Sequence, residues 1–243
     1  MLRLAKLGNQ PEIFYTIQGE GASMGRPAVF VRLSLCNLRC VWCDTPYTWN
    51  WVGTPYPHED DTKYNKADEI INLEVAEVAE MIRGYNCRRV VISGGEPLIQ
   101  TSNIVKLIAE LGDEYTIEVE TNGTIMPSHA LWQGVSQFNI SPKLEGSGNP
   151  AALRRKDNAL RFFGLLAQSQ FKFVITTDED LAEVQELIAA NDIPAEKVWL
   201  MPEGRTQEAV TRNSAALIEV CKEYGYNFTT RLHILVYATE RGR

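Results

Sequence analysis

Short runs of β-branched and aromatic residues recur along this chain, and helical patterns fill several of the gaps between them. "AVFVRLSL" (28–35), "RRVVIS" (88–93), "YTIEVET" (115–121), "SQFNIS" (136–141), "QFKFVIT" (170–176) and "KVWLMP" (197–202) each read as a strand. Over 73–83, Glu74, Glu77, Glu80 and Arg83 recur as one polar helical stripe. Thr177 and Asp180 are set as a capping box ahead of Leu181, Val184, Leu187 and Ile188, and Leu217, Val220, Cys221 and Tyr224 share a helix face. This alternation constrains the fold more than any other feature, because parallel strands need a crossover, usually a helix, between them. The fold class is therefore α/β, an incomplete TIM-type barrel of roughly six parallel β/α units, short of the full eightfold ring. The chain reads as a single domain over 1–243 with an insertion at about 47–72, aromatic at first and then polar and Pro-rich.

Parallel α/β sheets carry their chemistry at the C-terminal ends of the strands. Here those ends carry "CNLRCVWCDT" after the first strand, "GGEP" after the second, "ETNG" after the third and "SPK" after the fourth. Four unusual loops would converge on one rim.

Charge and cysteine usage narrow the chemistry. Lys and Arg total 24 against 31 Asp and Glu, a formal net charge of -7. That balance argues against a nucleic-acid surface, yet allows a small anionic substrate held by a few local cations. No apolar run approaches the ~20 residues of a membrane helix, and residues 1–10 lack a secretory apolar segment. Five cysteines, odd in number and unevenly placed, do not form a secreted disulfide framework, so a cytoplasmic, reducing setting is expected.

Cys36, Cys40 and Cys43 are spaced C-x3-C-x2-C, close enough to wrap one metal site. A zinc site needs a fourth protein ligand, for which His58 is the nearest histidine, and a ferredoxin cluster takes a fourth cysteine. Cys87, just before a strand, and Cys221, on an apolar helix face, read as structural. The simplest reading is a [4Fe–4S] cube with three irons held and the fourth open to a ligand. In "GGEP", Gly94 and Gly95 lack a Cβ and allow close backbone approach to a ligand, Glu96 accepts hydrogen bonds, and Pro97 suits a helix start. By itself that motif is only a tight turn.

Together the cysteine loop and "SGGEP" resemble the radical S-adenosylmethionine (SAM) superfamily. With "FYTIQGEG" (14–21), "FVRLSLC", "CDT", "ETNG" and "SPK" in order, the chain is similar to the 7-carboxy-7-deazaguanine synthase family from about Ile13 to Lys143, and again weakly at "MPEG" and "RLHIL". The resemblance implies that Cys36, Cys40 and Cys43 hold the cluster and that Thr45 coordinates Mg2+. It implies a SAM pocket of Trp42, Cys43, Asp44, Gly95, Glu96, Ser141, Pro142 and Lys143, with Met201, Pro202, Glu203 and Gly204. It implies a substrate pocket of Ile17, Gln18, Gly19, Glu20, Arg32, Ser93, Glu120, Asn122 and His233. The implied reaction is a radical ring contraction of 6-carboxy-5,6,7,8-tetrahydropterin with loss of ammonia, a lyase step of queuosine or 7-deazapurine biosynthesis. A flavodoxin- or ferredoxin-class one-electron reductant and a homodimer come with it, and neither nucleic acid nor membrane is a partner. The competing readings are a glycyl-radical-enzyme activase of the same superfamily and a non-enzymatic iron–sulfur or zinc protein. Trp49 and Trp51 read as packing, the 58–61 "HEDD" run as a solvated loop, and the "YATERGR" tail leaves a C-terminal carboxylate contact in doubt.

Overall fold

The computed structural model describes residues 1–243. Eleven strands form one open sheet: β1 (Leu2–Leu7), β2 (Gln10–Pro11), β3 (Ile13–Ile17), β4 (Pro27–Leu33), β5 (Ile70–Leu73), β6 (Arg89–Gly94), β7 (Thr116–Thr121), β8 (Gln137–Ile140), β9 (Ser169–Ile175), β10 (Val198–Pro202) and β11 (Asn227–Phe228). From β4 through β6, β7, β8, β9, β10 and β11, every neighbouring pair is parallel. The six strands expected from sequence are the first six of this series, each within two residues of its expected bounds. On the other side of β4 the pairing turns antiparallel, to β3 and β1, and β1 in turn pairs with β2 and β5. The sheet does not close.

Nine helices accompany it: α1 (Lys66–Glu69), α2 (Val75–Arg83), α3 (Thr101–Leu111), α4 (His129–Gly134), α5 (Ala151–Arg154), α6 (Asp157–Leu165), α7 (Asp178–Asn191), α8 (Gln207–Tyr224) and α9 (Leu232–Tyr237). Of these α2, α3, α4, α6, α7 and α8 pack into the core on its convex face, whereas α9 lies on the cavity side. The capping box at the start of α7 is formed, the Thr177 hydroxyl accepting from Asp180 N–H while the Asp180 carboxylate accepts from Thr177 N–H. A second box opens α2. There Glu74 is the cap and Glu77 its partner, so two members of the polar stripe start the helix, while Val78, Ala79 and Ile82 are buried.

The two-residue period of the strands divides the sheet's faces. Val29, Val31, Leu33, Val90, Ile92, Ile117, Val119, Phe138, Ile140, Phe171 and Phe173 face the helices in the main core. The alternate residues face inward. Register sets Arg32 beside Ser93, Glu120 beside Asn139, and Asn139 beside Gln170, while Phe14, Ala28, Phe30 and Val91 form a small apolar cluster. The concave face is thus largely polar.

Residues 47–72 are more integrated than a simple insertion. Tyr47, Thr48, Trp49 and Asn50 are buried, Trp51 bridges to Tyr64, and the segment ends in β5, which pairs with β1. The strand Ile70–Leu73 escaped sequence reading because four residues without alternation leave no periodic signal.

Candidate active site

Six parallel strand ends surround one cavity of about 600 Å3. The cysteine loop enters it from β4 through Leu35, whose φ of 79° lies in the left-handed region, a strained conformation for a leucine. Two backbone bonds hold it there: Leu35 N–H donates to Thr48 O at 3.0 Å, and Leu35 O accepts from Glu96 N–H at 2.8 Å. Cys36, Cys40 and Cys43 follow, all free and all lining the cavity. Burial pushes the Cys36 thiol up to about 12 and that of Cys40 to about 11, and raises Cys43 as well.

The loop is fastened at several points. Asn149 accepts from Arg39 N–H at 2.7 Å and donates to Cys40 Sγ at 3.3 Å. The Arg39 guanidinium lies over the Trp49 and Tyr56 rings, 5.6 and 5.0 Å from their centroids, so the tryptophan braces the loop while also lining the cavity beside the cysteines. The "HEDD" run is solvated at Glu59, Asp60 and Asp61, as read, but His58 departs from that reading. The His58 side chain is fully buried, with Nε2 2.8 Å from Cys43 O, and Asp60 pairs with Arg205, which also donates to Cys43 O at 3.0 Å.

The donor set suits an iron–sulfur cluster. Three free thiols open on the cavity, and neither remaining cysteine reaches it. No three His, Cys, Asp or Glu side chains gather as a single-ion site, whereas a polynuclear group takes one thiolate at each of several metal atoms. Around the trio stand Lys143, whose ammonium donates to Ser141 Oγ at 2.9 Å and lies over the Trp42 ring, together with Asp44, Gly95, Met201 and Glu203. Thr45 Oγ1 sits 3.6 Å from Cys43 Sγ on the same wall.

"GGEP" is placed as expected, with Gly94 and Gly95 on the cavity wall. Both also approach protein backbone closely. Gly95 N–H donates to Leu33 O at 3.0 Å, and a Cβ on Gly95 would meet Leu35 O and lie 2.9 Å from Cys36 N. The Glu96 carboxylate is fully buried and turned inward. It accepts from Leu98 N–H, Thr121 Oγ1 and Asn122 N–H at 2.9, 2.8 and 2.7 Å, clamping the loops after β6 and β7. Of the expected SAM residues, Glu96, Pro142, Pro202 and Gly204 therefore stand behind the cavity wall, not on it.

The expected substrate residues all line the cavity. Gln18 Nε2 and Ser93 Oγ donate to the two oxygens of Glu120, at 3.1 and 2.7 Å. Arg32 is fastened only through Nε, which donates to Glu12 at 3.0 Å. Asn122 is bonded to Thr124 within its own loop and donates to Asn37 Oδ1 on the cysteine loop at 2.9 Å. His233, on α9, packs against Gly19 so tightly that a Cβ there would come 2.6 Å from Nδ1. Burial holds its imidazole below the usual histidine range.

Sequence reading missed the cations that hold Glu20. Lys172 on β9 and Arg231 before α9 both pair with its carboxylate, and Arg231 also binds Asp44. Burial alone would raise the Glu20 carboxyl, but Lys172, Arg231 and His233 outweigh it and hold it far below the carboxylate range. A lysine in mid-strand in "FKF" was the available signal. Because this pKa is depressed, the stabilisation is present above the unfolded value of 4.5 and is lost as pH falls through the folded one. Glu20→Gln, which strands the buried Lys172 and leaves Arg231 with Asp44 alone, is expected to cost about 3 kcal/mol at pH 7. Urea unfolding should show that deficit shrinking below pH 4.5. A pH-independent difference would contradict the ion-pair account.

A model of the radical SAM superfamily matches residues 31–142. The 7-carboxy-7-deazaguanine synthase of Pyrobaculum aerophilum is 34% identical, covering 96% of this chain and 96% of that one. That of Halobacterium salinarum is 36% identical over 93% and 89%. The chain belongs to the 7-carboxy-7-deazaguanine synthase family. The crystal structure of QueE from Escherichia coli superposes with a TM-score of 0.63 at 25% identity, covering 91% of this chain and 92% of that one. SuiB of Streptococcus suis, at 13% identity and a TM-score of 0.53 over 85% of this chain and 49% of its own, shares the fold. As a radical SAM enzyme, a 7-carboxy-7-deazaguanine synthase family member uses a [4Fe–4S] cluster and SAM. The glycyl-radical activase and zinc readings are not favoured.

Proposed function

We infer that the chain converts 6-carboxy-5,6,7,8-tetrahydropterin to 7-carboxy-7-deazaguanine and ammonia. The observation that carries this is the meeting, in one cavity, of the three-cysteine loop with an open arginine fork and a polar concave sheet. When bound, the cluster and SAM supply radical initiation. The chain's own residues bind, orient and exclude water. Cys36, Cys40 and Cys43 hold the cluster, and Gly95, Ser141, Lys143, Trp42, Asp44, Met201 and Glu203 form the SAM wall. Arg32 offers its two terminal nitrogens to the substrate carboxylate, the geometry in which a guanidinium pairs with two oxygens. Glu120, with each oxygen engaged once, keeps lone pairs for the amino and ring N–H donors of the pterin, and Gln18 and Ser93 fix its orientation.

Thr45 supplies a hard oxygen for Mg2+, the substrate carboxylate and water completing its shell. A flavodoxin- or ferredoxin-class donor delivers the electron, and the enzyme works as a cytoplasmic homodimer. No helix is long and apolar enough to cross a membrane.

The test is anaerobic turnover of the reconstituted protein with reductant, SAM, Mg2+ and the tetrahydropterin. The expected products are 7-carboxy-7-deazaguanine and ammonia in equal amounts. SAM cleavage without either product, from protein carrying a full cluster, would reject the substrate while leaving the radical SAM assignment standing. Omitting Mg2+ should depress turnover, and an unchanged rate would reject the role given to Thr45.

A further inference from the structure

We propose that Glu12 is a positioning residue that aims the Arg32 guanidinium at the substrate carboxylate and ties it to the 238–243 segment through Arg241. The proposal rests on the substrate reading above.

Glu12 occupies a junction between strands. Its N–H donates to Ala5 O on β1 at 2.8 Å, and its carbonyl accepts from Arg32 N–H on β4 at 3.0 Å. The backbone thus fixes Glu12 beside Arg32 before any side chain is considered. The carboxylate, 1% exposed, has three partners. Oε1 accepts from Arg32 Nε at 3.0 Å and from the Tyr47 hydroxyl at 3.1 Å, and Oε2 accepts from Arg241 Nη2 at 2.9 Å. The Arg241 guanidinium carbon lies over the Tyr47 ring, 3.5 Å from its centroid, and Arg241 donates also to Lys6 O. At 1% exposure, and packed beneath Arg32, Tyr47 and Arg241, this carboxylate has no free face to offer a ligand, so its effect passes through the groups it holds.

What it holds is unevenly satisfied. Arg241 has a second acid, Glu69, at 3.8 Å. Arg32 has no acidic partner besides Glu12, and its only side-chain hydrogen bond is through Nε. Both terminal nitrogens are therefore free on a guanidinium that lines the cavity. A planar fork gripped at Nε presents its far edge in one direction, which is how two parallel bonds to a carboxylate are prepared. Glu69 supplies Arg241 with a second acid, so the cationic edge left without a partner at this junction is that of the Arg32 terminal nitrogens. The substrate's carboxylate is the anion that fits.

The experiment compares 6-carboxypterin with pterin, which lacks the carboxylate, as fluorescent probes of the reconstituted holoenzyme with SAM under anaerobic conditions. The wild type is expected to prefer 6-carboxypterin. Glu12→Gln should weaken 6-carboxypterin about tenfold, equivalent to about 1.4 kcal/mol, and leave pterin unchanged. Arg32→Ala should abolish the preference, and adding Glu12→Gln to it should cost nothing further. In turnover, Glu12→Gln should raise the KM for the tetrahydropterin with kcat within about twofold of the wild type.

Tyr47→Phe removes one contact without stranding a charge, so it serves where Glu12→Gln fails to fold, with an expected loss of two- to threefold for 6-carboxypterin alone, on the order of a single neutral hydrogen bond. Equal weakening of both probes, additive losses in the double variant, or an unchanged Tyr47→Phe would overturn the positioning role. A wild type that binds both probes alike would defeat the substrate reading, and the proposal with it.

Discussion

Gly95→Ala is expected to disable the protein more completely than one added methyl group suggests. A Cβ at this position falls on Leu35 O and comes 2.9 Å from Cys36 N. Both are backbone atoms, so no side chain can swing aside. Relief requires separating the turn after β6 from the cysteine loop, which breaks Gly95 N–H to Leu33 O and Glu96 N–H to Leu35 O. Two lost buried bonds, the clash and displacement of an already strained Leu35 add to more than about 4 kcal/mol, a large part of a typical domain's 5–15. The variant should melt well below the wild type and, where it folds, bind less iron on anaerobic reconstitution. Wild-type stability with a full iron content would show that the two backbones are not locked together.

Replacing Cys36, Cys40 or Cys43 with alanine is expected to act on chemistry and leave the fold standing. The loop is secured by Asn149, His58, Arg205 and the Arg39 stack, none of which needs all three sulfurs. Circular dichroism should stay near wild type while bound iron falls sharply. Turnover should drop by more than about 10^4-fold, the scale on which loss of an indispensable catalytic group acts in other enzymes. Cys87→Ala provides the contrast, because that thiol bonds only Pro27 O and Arg89 O, away from the cavity. Full iron retention in any variant of the trio, or its loss in Cys87→Ala, would reassign the ligands.

Much of this arrangement was legible beforehand because it is periodic. Strands such as Arg89–Gly94 and Thr116–Thr121 announce themselves by β-branched residues on one face, and the Thr177–Asp180 box by its spacing. The polar concave face left signals that went unread, since Glu120 in "TIEVET" and Lys172 in "FKF" are strand charges that turn toward the cavity. What escaped was set by partners distant in sequence. Glu12 is an unremarked acid until β1 and β4 bring Arg32, Tyr47 and Arg241 to it. His58 sits in a charged run whose neighbours are solvated, and only the fold supplies the carbonyl of Cys43. Glu96 was read correctly as an acceptor, but its donors belong to the protein. Spacing reveals which groups meet at a rim. It does not reveal which of them are already satisfied.

Leu35 takes its unusual backbone angle because Thr48 reaches back to hold it. The depth at which the first sulfur sits is therefore dictated by a stretch lying outside the repeating strand–helix plan. Relatives sharing the same sheet but differing between 47 and 72 would present their thiols at different heights above its floor. In this architecture a stretch outside the strand–helix repeat sets the seat of the first sulfur.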